Sequence, residues 1–269
     1  MFVPVVNEPK LHISINGNSK IGKGIASFST LPGNAQHLVT LKTGQVLTTI
    51  PGTCTHNCKH CFHKCYAVNA LKRYMNTCLK AWGDNTLLLR SGRLFDELDA
   101  YLNKKNAKYL KTKKKEDIRI RYFMINVSGE ITSGTELMQW DDLARRHPEI
   151  IFAVYTKNYR ALEVFLSKRD DTAPNFVINV SQWHGCADEF LAKHPGIFNV
   201  FEYIDTNRKD CEATDELKKH MEAVSKTRMC PAVTAKGKHA KNSEGKDVTC
   251  DSCKYCYQKT RCTTGVWAH

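Results

Sequence analysis

The distribution of cysteine constrains this chain more than any other feature. Of twelve cysteines, Cys54, Cys58, Cys61 and Cys65 form one tight group, and Cys230, Cys250, Cys253, Cys256 and Cys262 form another. The N-terminal stretch MFVPVVNEPK has too short an apolar run for a signal peptide and carries an acid. No apolar run approaches the roughly 20 residues that a membrane span needs. The expected setting is therefore a reducing cytoplasm. Disulfides rarely persist there, and cysteine spacing reads as metal or redox chemistry. Cys78, Cys186 and Cys211 stand alone and are read as core or incidental residues.

A chain of 269 residues, 42% hydrophobic and 25% charged, can bury a core without covalent staples. Its 40 basic and 27 acidic residues give a net charge of +13. That balance suits an anionic partner, with nucleic acid or a nucleotide as the first candidate, or else a basic solvated surface.

Patterning divides the chain into three parts. Residues 1–50 are a β extension in which Leu38 to Ile50 alternates around Thr43-Gly44, predicting a hairpin. Residues 51–225 alternate helical and near-continuous apolar patterns. Helices are expected over Tyr66–Trp82, Gly92–Leu102, Tyr159–Ser167, Asp188–His194 and around Leu217–Val224. Strands are expected over Ile118–Val127, Ile150–Tyr155, Phe176–Val180 and Ile197–Tyr203. Ser133-Gly134-Thr135-Glu136 reads as a capping box opening a helix that stops before Pro148. Lysines crowd residues 103–115. Such alternation predicts an α/β fold with a parallel sheet, as a partial or full (β/α) barrel. Residues 226–269 are basic, Cys-rich and poor in aliphatic residues, so this metal-binding tail needs something else to hold it.

Cys54-Thr-His-Asn-Cys58-Lys-His-Cys61 places three thiols within one short loop, able to curl around a soft metal centre. Three ligands would leave one iron of a 4Fe–4S cluster open. This C-x3-C-x2-C loop, in front of an alternating β/α core, resembles the radical S-adenosylmethionine superfamily. The resemblance implies a cluster whose open iron binds S-adenosylmethionine, and an electron donor. Two further segments carry it. Val127-Ser128-Gly129-Glu130 ends a predicted strand where that superfamily has a Gly-Gly-Glu-like contact to the methionine amine. Ser181 ends another, where a polar residue faces the ribose. His60 stands where an aromatic residue is usual.

Gly17-Asn18-Ser19-Lys20, Leu31-Pro32, Cys65-Tyr66-Ala67, Ser128-Gly129-Glu130, Tyr155-Thr156-Lys157 and the Cys-rich tail, in that order, are similar to the phage and plasmid family called gene product 88. That family supplies no reaction.

The site residues expected from these patterns are Cys54, Cys58 and Cys61 as cluster ligands, with Cys65 as a fourth ligand or a core residue. Ser128, Gly129, Glu130 and Ser181 are expected to hold the cofactor. In the tail Cys230, Cys250, Cys253, Cys256 and Cys262 offer a second site, iron–sulfur or zinc. Two readings follow. One is a radical S-adenosylmethionine enzyme modifying a nucleic acid or nucleotide. The other is a zinc-binding, nucleic-acid-binding protein without catalysis, in which the first site uses Cys54, Cys58, Cys61 and Cys65 or a set that includes His56, His60 or His63.

Overall fold

The computed structural model describes residues 8–15, 20–33, 36–40, 46–55, 61, 65–112, 119–183, 185–204, 215, 219, 222–224, 228–232 and 239–267. Six strands form one sheet: β1 (Ala26–Ser27), β4 (Tyr122–Ile125), β5 (Ile151–Thr156), β6 (Phe176–Trp183), β7 (Asn199–Ile204) and β8 (Thr263–Trp267). They stand in that order, and every neighbouring pair is parallel. A separate antiparallel pair, β2 (Gln36–Thr40) and β3 (Val46–Pro51), is the expected hairpin. Its turn, with Thr43-Gly44, lies outside the described residues.

Strand order fixes where the helices go. The sheet advances one strand at a time in one direction, and crossovers between parallel strands are right-handed. Successive crossovers therefore land on the same face. The helices are α1 (Tyr66–Arg73), α2 (Met75–Arg90), α3 (Leu94–Thr112), α4 (Gly134–Arg146), α5 (Tyr159–Leu166) and α6 (Asp188–Lys193). Phe123, Ile125, Phe152, Val154, Phe176, Ile178 and Val180 point from the strands toward them. They form one core with Leu94, Leu98 and Leu102 of α3, Leu137 and Trp140 of α4, and Leu162 and Phe165 of α5. Trp140 is fully buried, with Phe28, Phe95, Phe123 and Phe152 around it.

The alternate strand positions form the opposite face: Tyr122, Met124, Ile151, Ala153, Tyr155, Val177, Asn179, Ser181, Trp183, Asn199, Phe201 and Tyr203. The Cys-rich tail lies there. Tyr257, in a single 3-10 turn at Tyr255–Tyr257, packs with Ile21, Ile25, Met124, Ala153 and Val177. The tail also supplies β8, so it is held by a strand ladder.

Several boundaries differ from the sequence reading. The helix expected over Tyr66–Trp82 is two helices, because Tyr74 leaves helical geometry at φ −121° and ψ 41°. α3 continues through Thr112, so the start of the lysine run is helical. The capping box is half formed. Ser133 Oγ accepts from Glu136 N at 3.1 Å, but the Glu136 carboxylate turns to the backbone N–H and hydroxyl of Thr132, both at 2.7 Å. β6 runs on through Trp183 rather than ending at Val180. Strands β1 and β8 had no periodic signal. Among the described residues no helix is long and apolar enough to cross a membrane.

Candidate metal centre at the strand ends

In a parallel sheet all strands end on one edge, and β/α folds place their chemistry there. Here that edge is built around Thr53. Its N–H donates to Leu31 O (2.9 Å), its hydroxyl lies 2.9 Å from Thr30 Oγ1, and Glu130 N donates to the Thr53 Oγ1 at 2.9 Å. Cys54 N donates to Gly33 O (3.0 Å), so the thiol loop is stapled to the residues following β1. Thr30 N in turn donates to Ser128 O, and Ser128 Oγ donates to Thr30 O. Gly129 is obligatory in this knot. Its φ is +85°, and a Cβ would stand 1.9 Å from Thr30 Oγ1 and 2.7 Å from Thr53 Oγ1.

Glu130 is buried. One carboxylate oxygen accepts from Ile131 N (2.8 Å), the other from Lys157 N (2.9 Å), which ties the ends of β4 and β5 together. Burial holds its carboxyl above the usual range, against the pull of the Lys157 cation, the Thr156 hydroxyl and those two N–H groups. Burial also pushes the Cys54 thiol up to about 12, and the charges of Glu130, Cys65 and Cys61 add to this. Cys54, Cys61, Cys65 and Glu130 therefore share one neighbourhood. Cys58, His56, His60 and His63 lie outside the described residues.

The tail cysteines are held in place by backbone and amide hydrogen bonds. Cys250 N and Asp251 N donate to Lys20 O (2.9 Å) and Ile21 O (2.8 Å), and Cys230 N donates to Gly265 O (2.7 Å). Asn179 Nδ2 reaches Cys256 O, and Asn199 Nδ2 reaches Gln258 O at 2.8 Å. Burial pushes Cys250 up to about 11, with the charges of Cys230 and Cys253 adding to it. Burial likewise pushes Cys256 up to about 12; a Tyr155 hydrogen bond opposes this, while Cys230, Cys250 and Cys253 reinforce it. Four of the five expected tail cysteines thus act on one another. Cys262 is exposed and donates to Thr260 O at 3.1 Å. Among the described residues, no three Cys, His, Asp or Glu side chains are arranged as a metal-holding set.

Among the described residues, two buried polar atoms have no hydrogen-bond partner, Asn126 Nδ2 and Tyr257 Oη. Both are at these sites. Asn126 follows β4 at φ +53°, two residues before Ser128, and its Oδ1 faces Thr30 Oγ1 at 3.4 Å. Tyr257 Oη is raised first by burial and then by the charges of Cys250 and Cys256. Sequence reasoning passed over both. The available signal for Asn126 was an Asn, the residue type that tolerates left-handed backbone, at a strand end directly before Val-Ser-Gly-Glu. Ser181 is buried on the tail-covered face, and its carbonyl accepts from Tyr159 Oη at 2.7 Å.

The molecule is thus a mixed α/β protein with a one-directional parallel sheet and cysteine groups gathered at its carboxyl edge and on its tail-covered face. It belongs to the gene product 88 family, which matches residues 13–259. No curated protein and no solved structure matches the chain.

Proposed function

We propose that the protein is an iron–sulfur, S-adenosylmethionine-dependent radical enzyme, with the fold acting as a partial (β/α) barrel. Cys54, Cys58 and Cys61 would hold the cluster. When bound, the cluster and S-adenosylmethionine supply an electron and a 5′-deoxyadenosyl radical able to abstract hydrogen. The observation that carries this reading is the meeting of Cys54 with Glu130 at the strand ends, through Thr53.

The residues present fit such a group on two counts. Buried thiols that raise one another are costly to ionise unless a cation joins them, and a soft metal supplies that charge. A buried amide donor without a partner is rare in a folded protein and marks a place where a ligand oxygen belongs. Asn126 Nδ2 can donate to the carboxylate of a methionine moiety. A carboxylate offers about four lone-pair sites. The neighbours of Glu130 occupy three, its two backbone N–H groups and the Thr156 hydroxyl, leaving one for the ammonium. Gly129, where a Cβ would meet Thr30 and Thr53, would keep the turn tight, Ser128 ties it to Thr30, and Ser181, buried within β6, would serve as the polar residue for the ribose. Cys65 belongs to the same group of thiols and would serve as a further ligand or a close neighbour.

The tail thiols Cys230, Cys250, Cys253 and Cys256 would hold a second centre, iron–sulfur or zinc, with Cys262 at its margin. The hydroxyls of Tyr155 and Tyr257 suit thiolate sulfur as hydrogen-bond acceptors, as groups around a bound metal commonly do.

The test is protein purified without air, with iron, sulfide and zinc quantified. S-Adenosylmethionine is then added with a chemical reductant or a flavodoxin-type electron donor. Iron and sulfide bound through Cys54, Cys58 and Cys61, with release of 5′-deoxyadenosine and methionine, is the expected result. Zinc in both thiol groups and no cleavage would replace this reading with a zinc-binding, nucleic-acid-binding protein.

A further inference from the structure

Cations meet acids on both sides of the sheet: on the helical side Arg145 with Asp141 and Asp171, Arg146 with Asp99, Arg169 with Asp142, and in the tail Lys241 with Asp247, Lys246 with Glu244 and Lys254 with Asp251. On the tail-covered side three cations also rest on aromatic rings. Lys157 Nζ lies 5.3 Å from the centre of the Trp183 ring, Lys254 Nζ 4.7 Å from that of Tyr122, and the Arg228 guanidinium 3.5 Å from that of Tyr255. One of these places has more structure than the others. Trp183, at the end of β6, stacks on Tyr203 of β7 with 3.9 Å between ring centres and 4° between planes. Tyr203 is buried beneath, whereas Trp183 and Lys157 are half-buried at the mouth.

The pair stands among the groups already described. Cys230 packs in the same cluster as Trp183 and Tyr203. Lys157 gives its backbone N–H to Glu130. A flat ring backed by a second flat ring, with a flexible cation beside it, is the chemistry that binds an unpaired nucleobase and its phosphate. Stacking holds the base whatever its identity, and the cation tracks the backbone. The net charge of +13 favours the same anionic ligand.

We propose that Trp183 on Tyr203 is a stacking platform for an unpaired nucleobase whose phosphate is met by Lys157, and that this is how the site takes its substrate. The inference rests on the reading above only in taking the strand-end mouth as the place of reaction. The ligand chemistry is shared by a free nucleotide and by an unpaired base in a single strand, so the experiment separates them.

Full-length protein purified without air is titrated into a short labelled single-stranded DNA, the same strand with abasic sites, adenosine monophosphate and ribose 5-phosphate. The base-bearing probes should bind more tightly than their baseless counterparts. Trp183→Ala should remove roughly 5- to 100-fold of that affinity and leave baseless probes unchanged. Trp183→Phe should keep most of it. Lys157→Met should weaken both kinds of probe and lower the salt dependence by about one phosphate contact. Trp183→Leu fills the ring's place without a π face, so it carries the test if the alanine variant loses its cooperative thermal transition. Tighter binding of the strand than of the mononucleotide identifies nucleic acid as the source, and the reverse identifies a free nucleotide. Equal affinity for base-bearing and baseless probes, or an unchanged ratio in both Trp183→Ala and Trp183→Leu, overturns the proposal. Base-dependent binding without S-adenosylmethionine cleavage would sink the radical reading and leave the platform standing. Cleavage without base preference would do the opposite.

Discussion

The two faces of one sheet show two ways of covering β-strands. The helical face is closed by packing: Phe123, Phe152 and Phe176 from the strands meet Trp140, Leu162 and Phe165, all essentially without solvent exposure. The other face carries Asn179, Ser181, Asn199 and Tyr155 among its apolar residues, and its cover is a tail poor in aliphatic side chains. That cover is fastened by side-chain amides and by a strand. Apolar packing is non-directional and gains with area, whereas amides and strand ladders act only on particular partners. A face covered in the second way can retain functional groups that a packed core would exclude.

The contrast can be broken at its strongest point first. Trp140→Ala should cost about 3–5 kcal/mol, read as a lower urea midpoint, because the cavity would open among aromatic neighbours that cannot collapse into it. Metal content of the tail in the folded fraction should not change. A smaller loss would mean that the helical face is less tightly closed than its burial implies.

Glu136 gives the next effect. It is buried beside Trp140, and burial raises its carboxyl from 4.5 to about 7 despite hydrogen bonds from Thr132 and Trp140. The folded state therefore holds a proton that the unfolded chain has released between those values. Stability should fall as pH rises from about 4.5 to about 7 and be flat in this respect above that. Across that window the wild type should lose roughly 2–4 kcal/mol relative to Glu136→Gln, on the scale of about 1.4 kcal/mol per unit. Urea midpoints of the two proteins at a series of pH values would show it. Parallel curves would remove Glu136 as the cause.

Asn199→Ala probes the tail-covered face. Asn199 Nδ2 reaches Gln258 O and Asn179 Oδ1, while its own Oδ1 accepts from Arg261 N at 2.8 Å. Losing these bonds should cost about 1–3 kcal/mol. The change should appear as faster hydrogen exchange around residues 255–261, with α4 and α5 unaffected. Equal acceleration on both faces would mean that the tail and the helices open as one unit. The smallest effect is expected at Lys193, whose pairing with Glu189 is exposed. Lys193→Ala should leave the urea midpoint where it was.

Much of the central fold was legible in the sequence. Ile150–Tyr155 is a continuous apolar run and Phe176–Val180 one broken only by Asn179, and a strand buried on both faces leaves that trace. β1 and β8 were not legible. Ala26–Ser27 is too short to show a period, and the tail around Thr263–Trp267 looked like a segment with no core of its own. At the site, Cys54 and Glu130 were legible because spacing and a strand end pointed to them. Thr30, Thr53 and Asn126 were not, since their roles come from hydrogen bonds between segments far apart in sequence. Cys58 and Thr43-Gly44 lie outside the described residues, so the structure does not address those expectations.

The place of β8 bears on how the protein is made. β7 ends at Ile204, yet the strand that pairs with it begins at Thr263, after nearly all of the tail has been synthesised. Until then the edge of β7 offers unpaired backbone groups, the template on which chains associate wrongly. Such a long wait for a non-local pairing also slows folding. A chain interrupted anywhere before Thr263 would leave the ribosome with that edge bare and should aggregate rather than persist as a partly working fragment. Pairing of β8 with β7 thus comes late in the chain and closes that edge of the sheet.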